Sequence, residues 1–167
     1  MILPAVRDPR LVTVRRGGSL TDHDHHLLAL WAADCAEHVL ELFERERPDD
    51  RRPREAVDAA RAWVAGALPM MESRARGGHA MGAARPLRGA ARFAAYAAGQ
   101  AACVAHVAEH DLGAAAYAIK AVAAAAGVDA GRHERDRQRD RLPAAVRSLV
   151  LEDQERRDPI CWGVFSA

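Results

Sequence analysis

The sequence predicts an all-α protein: a single-domain bundle of about six helices that follows an extended N-terminal arm. Apolar residues recur at helical spacing along most of the chain, and no convincing strand pattern follows residue 20. The stretch 87–127 is rich in alanine and glycine on nearly every side. With 167 residues, the chain is long enough to bury a core as one domain. We therefore expect an arm over residues 1–19 and a helical domain over residues 20–167.

The arm and the first helix meet at a glycine pair. Prolines and glycines surround a short LVTV run in the arm, which predicts an extended segment with at most a brief strand. Thr21 is suited to cap a helix, and apolar residues then recur on one stripe over residues 27–42. Pro48 ends this helix. A second helix is expected from Pro53, which fits a first turn.

The middle of the chain predicts a weaker helix and then two strongly apolar ones. Gly77 and Gly78 weaken a third helix expected over residues 72–84. A fourth is expected from Leu87 to about His110 and a fifth from there to Gly127. A helix that is apolar all round is usually central, and small residues let neighbours approach closely. We therefore place the 87–127 pair in the middle of the fold.

The last part of the chain alternates charged and apolar segments. The stretch HERDRQRDR contains both positive and negative side chains, which is typical of a solvated helix face. A final helix is expected from Leu142 to about Asp158, with its apolar side inward. The tail PICWGVFSA is apolar and aromatic, so it is expected to dock on the body. The alternative is an exposed hook for a partner that includes Trp162.

The overall composition excludes several classes of function. Basic and acidic residues number 24 and 23, so there is no electrostatic footprint for nucleic acid or an anionic membrane surface. No apolar run is long enough for a membrane span. Three widely spaced cysteines and the lack of a secretory leader favour a reducing cytoplasm.

The stretch CVAHVAEH is the strongest candidate for chemistry. On a continuous helix, Cys103, His106 and His110 would share one face. The first helix offers a similar set, in which Asp34 stands beside three residues on one face: Trp31, Cys35 and His38. If the two helices face each other, the candidate metal ligands are Cys35, His38, Cys103, His106 and His110. The alternative is a packed polar core in which the histidines are hydrogen-bonded and the cysteines act as small hydrophobes.

The other motifs give weaker evidence for a functional site. DHDHH, residues 22–26, lies in the first turn of a helix, where its acids suit the macrodipole and its histidines are expected to face solvent. The chain has no phosphate-binding loop, no dinucleotide-binding glycine motif, no nucleophile elbow and no zinc peptidase motif. We therefore predict no catalytic residue, no resident metal and no cofactor.

Four long stretches resemble one family over nearly the whole chain, from Val12 to Phe165. They are VTVRRGGSLTDHDHHLLALWAADCAEHVL, RPREAVDAARAWVAG, AAGQAACVAHVAEHDLGAAAYAIKAV and LPAAVRSLVLEDQERRDPICWGVF. These stretches are similar to the Imm-5-like immunity proteins of bacterial polymorphic toxin systems. The resemblance implies a small cytoplasmic α-helical protein that binds and blocks a cognate toxin. It carries over no catalytic residue.

Two functions follow as hypotheses. The first is an immunity protein that occludes a toxin domain, with its few aromatic side chains as candidate anchors. These are Trp31, Trp63, Tyr96, Tyr117 and Trp162. The second is a small helical enzyme or metal-binding protein, acting in secondary metabolism, with a pocket lined by Trp31, Asp34, His38, His106 and His110. There His38 or His106 would be the base or ligand, oriented by Asp34 or Glu109. The oligomeric state stays open, a homodimer included.

Overall fold

A computed structural model describes residues 2–167 and contains seven α-helices in this range. They are α1 (Asp22–Glu44), α2 (Arg52–Val64), α3 (Met70–Ala84), α4 (Gly89–Cys103), α5 (His110–Ala126), α6 (Val128–Asp140) and α7 (Ala144–Arg157). The predicted all-α bundle is confirmed. The helix beyond the expected six is α6, which begins at Val128 and contains most of the charged run HERDRQRDR. Gly127, with φ of 95°, lets the chain turn between α5 and α6.

The arm lies on the helical body. It forms two short 3₁₀ turns, Pro9–Leu11 and Val14–Arg16. In place of the brief strand considered above, a single bridge joins Thr13 and Leu20. Ile2 and Leu11 of the arm are buried, as is Leu20, which directly follows it. The arm is therefore part of the packed structure.

The first helix begins as its sequence predicts. The Oγ1 atom of Thr21 accepts a hydrogen bond from the backbone N–H of Asp24, which satisfies one of the free donors at the start of α1. The buried stripe of α1 includes Leu28, Trp31 and Cys35. This stripe turns α1 toward the centre of the bundle.

Helices α4 and α5 form the centre, as predicted from their alanine content. Helix α4 packs against α1, α2, α3 and α5. Glycines allow the closest approach: a Cβ placed on Gly77 would lie 2.7 Å from the carbonyl oxygen of Gly99 and 2.7 Å from the sulfur of Cys103. A Cβ on Gly99 would lie 2.9 Å from the carbonyl oxygen of Gly77. Helices α3 and α4 therefore meet backbone to backbone.

Helix α4 ends at Cys103, so the prediction of one helix to His110 is wrong. Residues 104–109, which we call the connector, form turns instead. Side chains from distant segments satisfy backbone carbonyls at the end of α4 and in the connector: the hydroxyl of Ser73 donates to Ala102, and Nε2 of His25 donates to Val104. Hydrogen bonds of this kind replace those that a longer helix would have made.

A buried arginine ties the connector to the arm and to α7. Arg157 has 1% of its surface exposed, and it donates hydrogen bonds to the carbonyl oxygens of Ile2 and Glu109. It also donates to the carboxylate of Asp153, 2.8 Å away. Burial, followed by the charge of Asp153, raises the pKa of the neighbouring Asp111 to about 8. Two buried carboxyl groups therefore share one buried cation.

Candidate functional site

The first group of predicted residues faces α6 and α2. The indole N–H of Trp31 donates to the carbonyl oxygen of Gln138, and Nδ1 of His38 lies 2.7 Å from a carboxylate oxygen of Glu134. Cys35 is fully buried beside them. Asp34 is exposed and accepts a hydrogen bond from Arg61 of α2. These contacts hold α1 to its neighbours.

The second group is divided by the end of α4. Cys103 packs against α3, and its sulfur lies 4.0 Å from the carbonyl oxygen of Arg74. His110 Nδ1 lies 2.7 Å from the side-chain oxygen of Gln100. This oxygen can only accept, so Nδ1 carries the proton. Burial lowers the pKa of His110 to about 4, so its ring is neutral. His106 lies apart, in the wall of a cleft.

Within residues 2–167, no group of three or more histidine, cysteine, aspartate and glutamate side chains has the arrangement of a metal site. Burial also raises the pKa of the Cys103 and Cys161 thiols to about 11 and raises that of Cys35 well above its usual value. Buried thiols of this kind stay protonated and pack as small apolar groups.

A surface patch of stacked rings lies at the other end of α4. We call it the aromatic patch, and it comprises Phe93, Tyr96, Tyr117 and Trp162 with three cations, Arg88, Arg92 and Lys120. Tyr117 stacks on Tyr96 with a centroid separation of 5.0 Å and meets Trp162 at 5.0 Å. A shallow cavity of about 390 Å³ opens among these rings. Helices α4 and α5 and the tail therefore converge on it.

The cations lie over the rings of the patch. The Nζ atom of Lys120 is 4.0 Å from the ring centroid of Trp162 and 4.8 Å from that of Phe93. The guanidinium of Arg92 is 5.5 Å from the ring of Tyr96. No carboxylate within residues 2–167 forms an ion pair with Arg88, Arg92 or Lys120. The patch therefore keeps its positive charge.

Trp162 has an unusual backbone. It is the one residue other than glycine with a positive φ, 62°, among residues 2–167. A bulky residue in the left-handed region is strained. Its neighbours Cys161 and Phe165 are buried, whereas the Trp162 side chain is 46% exposed. The tail thus combines both predicted arrangements: it docks on the body and leaves one tryptophan at the surface.

The second concave region lies beside the arm and contains residues that the sequence did not single out. We call it the arm cleft; it has a volume of about 450 Å³ and lies between the arm, the first turn of α1 and the connector. Of the histidines expected to face solvent, His25 is buried and meets Trp63 edge-on, with centroids 4.9 Å apart. Leu28 and Ala32 follow His25 by three and seven residues, and this helical spacing could have predicted that His25 lies on the buried face of α1.

The chain matches one family model over most of its length. The model of the family described as Imm-5 like putative immunity protein matches residues 18–145 of the 167. The chain therefore belongs to this family. No curated protein and no solved structure matches the chain significantly. None of the helices within residues 2–167 is long and apolar enough to cross a bilayer.

Proposed function

We propose that this chain is an immunity protein that binds a cognate toxin domain through the aromatic patch and occludes the toxin's active site. The observation that carries the proposal is Trp162, an exposed indole held in a strained backbone conformation and packed against Tyr117 at an interplanar angle of 57°. Strain in a backbone is retained where the surrounding structure enforces it, most often at functional positions. Family membership supplies the class of partner.

The composition of the patch suits a protein interface. Tryptophan, tyrosine and arginine are the residues whose truncation costs the most binding energy in interfaces. Stacked rings also lose little conformational entropy when a partner covers them, because their neighbours already fix them. A stable interface buries roughly 1,600 Å² in total, so the toxin would also cover the surface around the patch.

The unpaired cations indicate the chemistry of the partner surface. Arg88, Arg92 and Lys120 surround the rings without a carboxylate partner within residues 2–167. A toxin surface with aspartate or glutamate side chains would complement them and would be steered toward the patch. We therefore propose an acidic surface on the toxin, next to the active site that the immunity protein blocks.

We also propose that the protein acts in the cytoplasm. Its three cysteines are free and buried. Free thiols persist in a reducing compartment, where a toxin delivered into the cell would be met.

Trp162→Gly tests the proposal with little risk of unfolding. Glycine is favoured at a φ of 62°, so relief of strain should offset the lost contacts of the indole with Tyr117 and Lys120, and we expect the unfolding free energy to change by less than about 1 kcal/mol. Binding to the toxin domain encoded by the adjacent gene should weaken by roughly 30-fold or more, because removal of a hot-spot residue costs at least about 2 kcal/mol.

The matched control is Met71→Gly, or Met71→Ala to spare the helix. Met71 is an exposed apolar residue of α3 that lies outside the patch. Titration calorimetry measures affinity, and growth of cells that express the toxin measures protection. Equal binding by Trp162→Gly and the unaltered protein, or no binding by either, would overturn the proposal.

A further inference from the structure

The arm cleft has the dimensions and lining of a small-molecule site. Its volume of about 450 Å³ lies within the range of roughly 300–1,000 Å³ that is usual for ligand pockets. Part of its wall is apolar, formed by Leu11, Trp63, Met70, Ala105 and Ala108. The remainder is polar and mostly basic, and Asp22 is the one carboxylate that lines it within residues 2–167.

The three arginines of the cleft differ in whether a carboxylate already pairs with them. Arg7 binds the buried carboxylate of Glu109 through Nε and Nη2, at 2.9 and 2.5 Å, which leaves Nη1 free to donate to a ligand. Arg15 is paired with Asp22 at 2.5 Å. Arg16 has no side-chain hydrogen bond or ion pair to any residue in the range 2–167. Its full guanidinium charge is therefore available.

The imidazole of His106 in the wall of the cleft is incompletely bonded. Its Nδ1 atom is shielded from solvent and has no hydrogen-bond partner within residues 2–167. A buried nitrogen without a partner is costly. Since solvent does not reach this atom, a ligand oxygen would bond to it once the ring turns toward the cleft. Burial and then the positive charges of Arg74, Arg16 and Arg7 lower the pKa of this ring. The surroundings of His106 are thus already positive before a ligand binds.

We propose that the arm cleft binds a phosphate monoester with a small aromatic or apolar group. The phosphate oxygens accept hydrogen bonds from Arg16, from Nη1 of Arg7 and from His106, since planar guanidinium groups match phosphate geometry. The organic group packs on the apolar wall at Trp63 and Met70. The aromatic patch lies toward the other end of α4, which rises about 16 Å between Arg92 and Cys103. This site is therefore separate from the proposed toxin interface.

The probes are inorganic phosphate, phenyl phosphate and benzoate, each titrated into the full chain with the His106 ring signals followed by NMR. We expect saturable shifts with both phosphates. Phenyl phosphate should bind at least about fivefold more tightly because its ring buries apolar surface. Benzoate, with a single-charged planar carboxylate, should bind at least about fivefold more weakly than phenyl phosphate.

Two variants and a control locate the site. Arg16→Ala, at an exposed residue, and His106→Ala should each weaken phenyl phosphate binding at least about fivefold. In His106→Ala, binding is followed through the ring signals of His25 and His26, which also line the cleft. Arg132→Ala changes an exposed arginine on α6, outside the cleft, and should have no effect. The proposal is overturned if neither phosphate shifts His106 saturably up to about 20 mM. It is also overturned if benzoate matches phenyl phosphate, or if Arg132→Ala weakens binding as much as Arg16→Ala.

Discussion

At the start of α4, aromatic rings and unpaired cations face outward around Trp162, whereas at its other end the cations turn toward a cleft. In the arm cleft, Arg7 and Arg15 are already paired with Glu109 and Asp22. In the aromatic patch, the cations lie over rings instead. A shallow patch with exposed rings suits a large flat partner, and a concave, partly neutralised cleft suits a small one. The two ends of the central helix therefore lie beside surfaces of different chemistry.

The largest expected effect concerns the cleft end, where Arg157 joins the arm to the connector. Arg157→Met removes the hydrogen bonds to Ile2 and Glu109 and takes the buried cation away from Asp111 and Asp153, which leaves Asp153 only the partly exposed Arg156. We expect a loss of about 3–5 kcal/mol in unfolding free energy, since breaking a buried ion pair leaves an uncompensated charge. Urea denaturation measures the loss, and hydrogen exchange should show it first in the arm. A loss below about 1 kcal/mol would contradict this role of Arg157.

The next effect depends on pH and involves Asp111. Because its folded pKa of about 8 lies above the unfolded value of 3.8, the folded state holds an extra proton between these values, and stability from this group falls as pH rises through that window. Asp111→Asn does not titrate. The unfolding free energy of this variant, relative to that of the unaltered protein, should therefore rise between pH 5 and pH 8, by up to about 1.4 kcal/mol per pH unit. Urea denaturation at both pH values measures this, and a constant difference would contradict it.

Two neighbouring glycines of α3 test the backbone contact that supports the cleft end. Gly77→Ala places a methyl group against Cys103 and the carbonyl of Gly99, and we expect a loss of about 1–3 kcal/mol. Gly78→Ala meets nothing within 4 Å and should gain about 0.5–1 kcal/mol from helix propensity. Thermal unfolding of the pair compares them. Equal shifts in the same direction would show that α3 and α4 do not meet as described.

The smallest effect concerns the charge of the patch. Lys120→Glu reverses a charge beside Trp162, and we expect toxin association to slow by about tenfold at low salt, with a smaller difference as salt screens it. Arg132→Glu on α6 is the matched control and should leave the rate unchanged. Stopped-flow mixing measures both rates. Faster association by Lys120→Glu would show that the partner surface is basic.

The sequence predicted the helical class and the central position of the alanine-rich pair, because periodicity and small residues act locally. The end of α4 could not be predicted, since CVAHVAEH contains no proline or glycine. The side chains that satisfy the carbonyls of Ala102 and Val104 come from Ser73 and His25, which are distant in sequence. The arm cleft could not be predicted for the same reason, because the residues that line it come from segments far apart in the sequence. Trp162 was singled out as a possible hook, but its left-handed backbone has no local signal such as glycine at that position.

Hydroxyl-radical footprinting of the complex with the toxin tests the central claim most directly, because the two regions each carry a tryptophan. Trp162 lies in the aromatic patch and Trp63 in the arm cleft. When the toxin is bound, oxidation of Trp162 should fall severalfold relative to the free protein, while oxidation of Trp63 should stay unchanged. Protection of Trp63 with continued oxidation of Trp162 would contradict the assignment of the patch as the toxin-binding surface.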